Sequence, residues 1–195
     1  MTAITIRPGT PADADAVDAA CRATADGGRP QRVDVVDPAL VSLVYARPYL
    51  ELEPATSRLL VRDGSVSGYV VGALDSPAFY RRAGEWAAAH LPRPPGADPD
   101  LVALLTEPER ALPREVEDFP SHLHVNLLPA ARGAGLGRRL VSAFLTGLVQ
   151  AGSPGVHLRV DRANRRAVGF YARLGFTTLH EGETLTMART LPPAQ

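Results

Sequence analysis

From His122 to Leu128 the chain alternates: His122, His124, Asn126 and Leu128 fall on one side of an extended segment, and Leu123, Val125 and Leu127 on the other. A period of two predicts a strand with two unlike faces. Pro129 ends it. From Leu136 the period changes, and Leu136, Leu140, Val141, Phe144, Leu148 and Val149 recur at steps of three and four, which predicts an amphipathic helix. Between the two lies Arg132-Gly133-Ala134-Gly135-Leu136-Gly137. Glycines remove the Cβ atoms that would keep a backbone from wrapping an anion. The unsatisfied N–H groups and positive dipole end of the following helix face the same turn. This is the composition of a phosphate cradle.

The same reading orders the rest of the chain. Thr2 to Arg7 alternates as an opening strand, and Pro8-Gly9-Thr10-Pro11 turns it into a helix with Val17, Ala20 and Cys21 on one side. Gly27 to Glu53 reads as a helix and a loop. Arg58 to Arg62 and Val66 to Leu74 are β-rich runs about Asp63-Gly64, a hairpin signal. Phe79 to His90 reads as helix, with Trp86 packing. Residues 91–120 carry seven prolines around a short apolar helix at Leu101 to Leu105, the pattern of a surface insertion rather than a second core. After the breaker Ala151 to Gly155, a strand Val156 to Val160 leads to a helix opened by Asn164 and closed by Gly175. Phe176 to His180 and Thr184 to Arg189 form a last hairpin, and Leu191 to Gln195 a frayed tail.

Composition narrows the function. The 195 residues, 45% of them hydrophobic, suit one domain spanning 1–195. A formal net charge of zero gives no general attraction to nucleic acid or to a membrane. One cysteine, with no leader and no long apolar span, points to the cytoplasm. All 21 basic residues are arginine, a trait of a GC-rich bacterial coding sequence.

Without lysine the turn is not a Walker loop, and its third glycine comes one position early for a dinucleotide fingerprint. What fits is Arg-x-x-Gly-x-Gly after a strand ended by proline, which resembles the pyrophosphate loop of the GCN5-related N-acetyltransferases (GNAT). The run from Asn164 through Ala167, Phe170 and Tyr171 to Gly175-Phe176 resembles the same family's second signature. Further runs, Ile6-Arg7-Pro8, Thr10-Pro11, Gly68-Tyr69, Gly72 and Phe119-Pro120-Ser121, resemble the histone acetyltransferase-like C-terminal domain of O-GlcNAc hydrolases. In those relatives the phosphate loop is degraded, whereas here it is intact.

The resemblance implies an α/β GNAT fold, a mixed and mostly antiparallel sheet splayed at the cofactor strand with helices on both faces. It implies an acyltransferase that takes acetyl-CoA as cosubstrate and acetylates an amine, on a small molecule or on a protein or peptide, in a ternary complex. The rival reading is a module that binds CoA or a partner without turnover. Under the first reading, backbone groups of Leu127 and Leu128 hold the pantetheine arm. N–H groups of Gly133, Gly135, Leu136, Gly137 and Arg138 bind the pyrophosphate near Arg132. One of Arg132, Arg138 and Arg139 meets the 3′-phosphate, Asn164 and Tyr171 of the second signature also contribute to cofactor binding, and Tyr171 is the general acid. His122 and His124 share a strand face and are the candidate bases; their other reading is structural. Two alternating histidines lack a third ligand for a metal. The acceptor and the oligomeric state stay open.

Overall fold

The computed structural model describes residues 3–25, 38–90 and 99–194. The strands are β1 (Ile4–Pro8), β2 (Arg58–Arg62), β3 (Ser65–Ala73), β4 (Ser121–Leu127), β5 (Gly155–Asp161), β6 (Thr177–His180) and β7 (Thr184–Thr190). The helices are α1 (Ala14–Arg22), α2 (Pro38–Tyr45), α3 (Arg47–Leu52), α4 (Ser76–His90), α5 (Pro99–Thr106), α6 (Leu136–Gln150) and α7 (Arg165–Arg173).

The strands form one sheet in the order β1-β2-β3-β4-β5-β7-β6. Every pairing is antiparallel except β4 with β5. The β2–β3 hairpin turns on Asp63 and Gly64, both at positive φ (48° and 82°), the twist that a two-residue hairpin requires.

Alternation along the strands feeds two cores. On one face Leu60, Val70, Leu123 and Leu158 meet Leu140, Phe144 and Leu148 of α6. On the other, Leu59, Tyr69 and Val71 meet Val17 and Cys21 of α1, Tyr49 and Leu50 of α3, and Phe79 of α4. Trp86 joins Leu40, Leu43 and Ala87 in a smaller cluster, and its indole N–H donates to Glu51 (2.7 Å), which satisfies its polar end.

Helices α6 and α7 end alike. Gly152 (φ 81°) and Gly175 (φ 84°) follow them in the left-handed region, and the N–H groups of Ser153 and Phe176 return to the carbonyls of Leu148 and Tyr171. The first ending drops the chain into β5, and the second sends it into β6. One expectation changes. Leu191 is not frayed: it is buried, and its N–H donates to Pro154 (2.8 Å). In the proline-rich stretch, α5 packs against α2 and α4, while residues 91–98 lie outside the described residues.

Candidate active site

Strands β4 and β5 pair only at Ser121–Val156 and His122–His157, then part. Their divergence opens a cleft of about 460 Å³, lined by His124, Val125 and Asn126 from β4, Leu158 to Asp161 from β5, Asn164 and Tyr171 from α7, and Tyr45, Tyr49 and Tyr80 from α2 to α4.

Beyond the fork, β4 keeps its partner on the β3 side alone. The N–H of Leu128 donates to Ser67 (2.9 Å) and its carbonyl accepts from Ala131 (2.9 Å). N–H and C=O of one residue point the same way across an antiparallel ladder, and successive residues alternate. Residues 124, 126 and 128 therefore address β3, while Val125 and Leu127 address the gap. This corrects the expectation for Leu128, whose backbone is turned away from the cleft, and brings in Val125, which no motif marked. The Leu127 carbonyl already accepts from Arg132 Nε (2.9 Å), so the arginine is anchored across the end of β4.

The turn after β4 runs through three consecutive left-handed residues, Gly133 (φ 90°), Ala134 (φ 49°) and Gly135 (φ 73°). Nothing lies within 4 Å of where a Cβ on Gly133 or Gly135 would be, so the concave side is open. Successive N–H groups in such a turn converge, and those of Gly137 and Arg138 in the first turn of α6 add to them. Leu136 does not: its N–H closes onto the Gly133 carbonyl (3.2 Å) and its side chain is buried, a second correction. Arg138 and Arg139 are exposed beside the turn. A pyrophosphate needs converging donors, open space and nearby cations, and all three are present.

Asn164 caps α7, its Oδ1 accepting from Ala167 N (3.1 Å). Two turns past the cap, Tyr171 is buried with its ring edges against Phe170 and Phe176 (centroids 5.3 and 5.7 Å), yet its hydroxyl makes no hydrogen bond within the described residues and borders the cleft. Burial pushes the phenol well above its ordinary pKa, so it stays a proton donor at neutral pH.

The two strand histidines differ. His122 is sealed, with Nε2 2.8 Å from the Tyr49 hydroxyl and Nδ1 2.7 Å from Ser76 Oγ; burial, and then His124 and His157, hold its imidazole far below the usual range. Its ring borders the cleft, but both nitrogens are engaged, so neither is left for an acceptor. His124 lines the cleft with Nε2 3.0 Å from the same Tyr49 hydroxyl. Burial first, then His157 and Arg159, push it down to about 4. Sequence gave no sign of Tyr49 or Ser76, since neither belongs to a motif and both lie more than forty residues from the strand they serve. Cys21 is buried in the second core and its thiol is pushed up to about 11 by burial, which makes it a packing residue.

The model of the acetyltransferase (GNAT) family matches residues 103–176, from α5 through the glycine turn to the end of α7. A solved structure described as SsHAT is 38% identical, with a TM-score of 0.87 over 96% of this chain and 98% of that one. The polyamine N-acetyltransferase of Drosophila melanogaster shares the fold at 18% identity, TM-score 0.63, over 97% of this chain and all of that one. Mycothiol acetyltransferase of Streptomyces griseus subsp. griseus is 47% identical over 57 residues, 29% of this chain. That match spans only 18% of the mycothiol enzyme's own length. With the splayed strands, the glycine turn and a relative matched from end to end, the chain belongs to the acetyltransferase (GNAT) family.

Proposed function

We propose that this protein is an acetyl-CoA-dependent N-acetyltransferase that passes acetyl directly to an amine in a ternary complex, with residues 1–195 acting as one unit in the cytoplasm. The observation that carries this reading is the fork: β4 and β5 part where Tyr171, whose hydroxyl makes no hydrogen bond among the described residues, borders the gap, and the open glycine turn follows β4 directly.

Acetyl-CoA supplies a thioester whose carbonyl an amine attacks, with a thiol as leaving group. The N–H groups of Gly133, Ala134, Gly135, Gly137 and Arg138 hold the pyrophosphate, with Arg132 anchored beside them and Arg138 or Arg139 reaching the 3′-phosphate. Val125 and Leu127 offer backbone groups to the pantetheine amides, as a neighbouring strand would. Tyr171 donates its proton to the departing sulfur. His124 receives the proton that the amine nitrogen sheds.

A module that binds CoA without turnover would need the same cradle but has no use for a protonated phenol bordering the cleft. The runs that resemble the acetyltransferase-like domains of O-GlcNAc hydrolases support kinship with them, and an intact glycine turn supports cofactor binding in this chain.

Calorimetry with acetyl-CoA, followed by a thiol-release assay against pools of small amines, peptides and proteins, tests the reading. Binding and amine-dependent thiol release are expected. Binding with no release from any pool would leave the module; no binding would end both readings.

A further inference from the structure

A chain of hydrogen bonds runs inward from the cleft to the carbonyl of Pro120, and its direction can be read from that end. Ser76 Oγ lies within hydrogen-bond distance of both Pro120 O and His122 Nδ1. A carbonyl can only accept, and a serine hydroxyl has one hydrogen, so that hydrogen goes to Pro120. Ser76 Oγ then accepts from His122, whose Nδ1 must carry a proton. His122 is sealed and neutral, which leaves its Nε2 a bare lone pair. The Tyr49 hydroxyl, 2.8 Å away, donates to it. Its hydrogen spent, the Tyr49 oxygen accepts from His124 Nε2 at 3.0 Å. His124 is also neutral at pH 7, so its Nδ1 is bare. That atom has no hydrogen-bond partner among the described residues and is not sealed from solvent.

We propose that Pro120, Ser76, His122 and Tyr49 form a positioning chain that holds His124 as its Nε2–H tautomer and presents Nδ1 to the cleft as the proton acceptor. The role in transfer rests on the reading above; the tautomers do not. A merely structural cluster would be cheaper to build from apolar residues, because the buried His122 ring, the half-buried His124 ring and two buried hydroxyls forfeit hydration that the network only restores. Stacking fixes the chain further: Tyr49 lies on Phe79 (centroids 4.2 Å, 18°) and Tyr80 on His122 (4.9 Å, 19°). The edge of Tyr45 meets His124 at 5.2 Å, and His157 and Arg159 are the other titratable groups that act on it.

Such a base has a defined range. A free primary ammonium, at about 10.4, lies some six units above a His124 near 4, so taking its proton before attack would cost roughly 9 kcal/mol. The amine must therefore enter neutral. As its nitrogen bonds to the acetyl carbon it becomes acidic, and one N–H proton passes to Nδ1. His124 is then a cation whose Nε2–H still donates to Tyr49, while the Tyr171 proton goes to sulfur. Exchange with solvent through the cleft returns one proton from His124 and supplies one to Tyr171, so the balance closes.

Long-range ¹H–¹⁵N spectra of the full chain at pH 7 separate protonated from bare ring nitrogens, with assignments from His122→Asn and His124→Asn. Expected are a protonated Nδ1 and bare Nε2 in His122, and the reverse in His124. Either histidine in the opposite tautomer overturns the chain. Tyr49→Phe keeps the stack on Phe79 and cuts both hydrogen bonds. It should give mixed tautomers at His124 and lower the transfer rate about tenfold or more at unchanged acetyl-CoA affinity. Unchanged tautomers and rate in a folded Tyr49→Phe protein overturn the positioning role. The expected tautomers in a protein that acetylates no amine would remove the transfer reading and the base role with it, and leave the tautomer assignment standing.

Discussion

A Cβ on Gly72 would lie 2.0 Å from the carbonyl oxygen of His122. Strand β3 approaches β4 this closely only because Gly72 carries no side chain, and the ring of Phe144 closes the same space at 2.7 Å. The glycine thus sets the height of the strand that carries both histidines. Gly72→Ala must push β4 away or distort α6, and overpacking of this kind costs typically about 1–3 kcal/mol. Urea denaturation measures it. A stability equal to the wild type would show that β4 can shift freely, against the fixed geometry argued for His122.

Much of this was legible in the chain. Period two placed His122 and His124 on one face of β4 and Leu123 on the other, because a strand between two packed layers must send alternate residues to each. Gly152 and Gly175 marked helix ends because left-handed backbone favours glycine so strongly. What escaped was set by pairing between distant segments. Leu128 is turned from the cleft by the register of β3, and the partners of His122 come from α3 and α4. Ala134 sits at positive φ without being a glycine, so composition concealed a third of the turn.

Acid should act on the fold in two windows. His124, near 4 in the folded protein and about 6.5 unfolded, and His122, which burial also holds well below the usual imidazole range, bind fewer protons folded than unfolded, so stability rises with pH through that window and falls as pH drops from about 6.5 toward 4. Asp13 works lower. Its hydrogen bonds to Arg7 (2.6 Å) and Thr10 (2.8 Å) hold it at about 2 against 3.8, so its stabilisation is complete above about 4 and lost as pH falls through 2. Urea titrations from pH 7 to 2.5 should show an earlier loss that His124→Asn reduces and a later one that Asp13→Asn abolishes. A flat profile between pH 7 and 4.5 would contradict neutral buried histidines.

The cradle is tested at Gly135. With φ at 73° and no atom within 4 Å of a Cβ, Gly135→Ala carries backbone strain of roughly 1–2 kcal/mol and little else. Gly135→Glu adds a carboxylate beside the N–H groups that would meet the pyrophosphate. Calorimetry should show acetyl-CoA affinity reduced modestly by alanine and at least tenfold further by glutamate. Equal affinities for the two folded variants would mean that no anion binds at the turn.

The phenol and the imidazole of the cleft make one joint prediction about rate and pH. Tyr171 keeps its proton well above pH 10, so no basic limb should come from it. His124 loses its base function only below about pH 4. Between pH 5 and 9 neither group titrates, and the remaining variable is the acceptor, which must enter neutral. The log of kcat/KM should therefore rise about one unit per pH unit up to the amine's own pKa and level off there, and an α-amine, near 7.8, should level off more than two units earlier than a primary alkyl amine near 10.4. Tyr171→Phe should leave that shape and the acetyl-CoA affinity unaltered while lowering the rate about 10²- to 10⁴-fold, since the ring still packs on Phe170 and Phe176 and only the donated proton is gone. An inflection near pH 6.5 for every amine would identify an ordinary histidine as the base and contradict the buried chain behind His124. An unaltered rate in Tyr171→Phe would take the phenol out of the reaction.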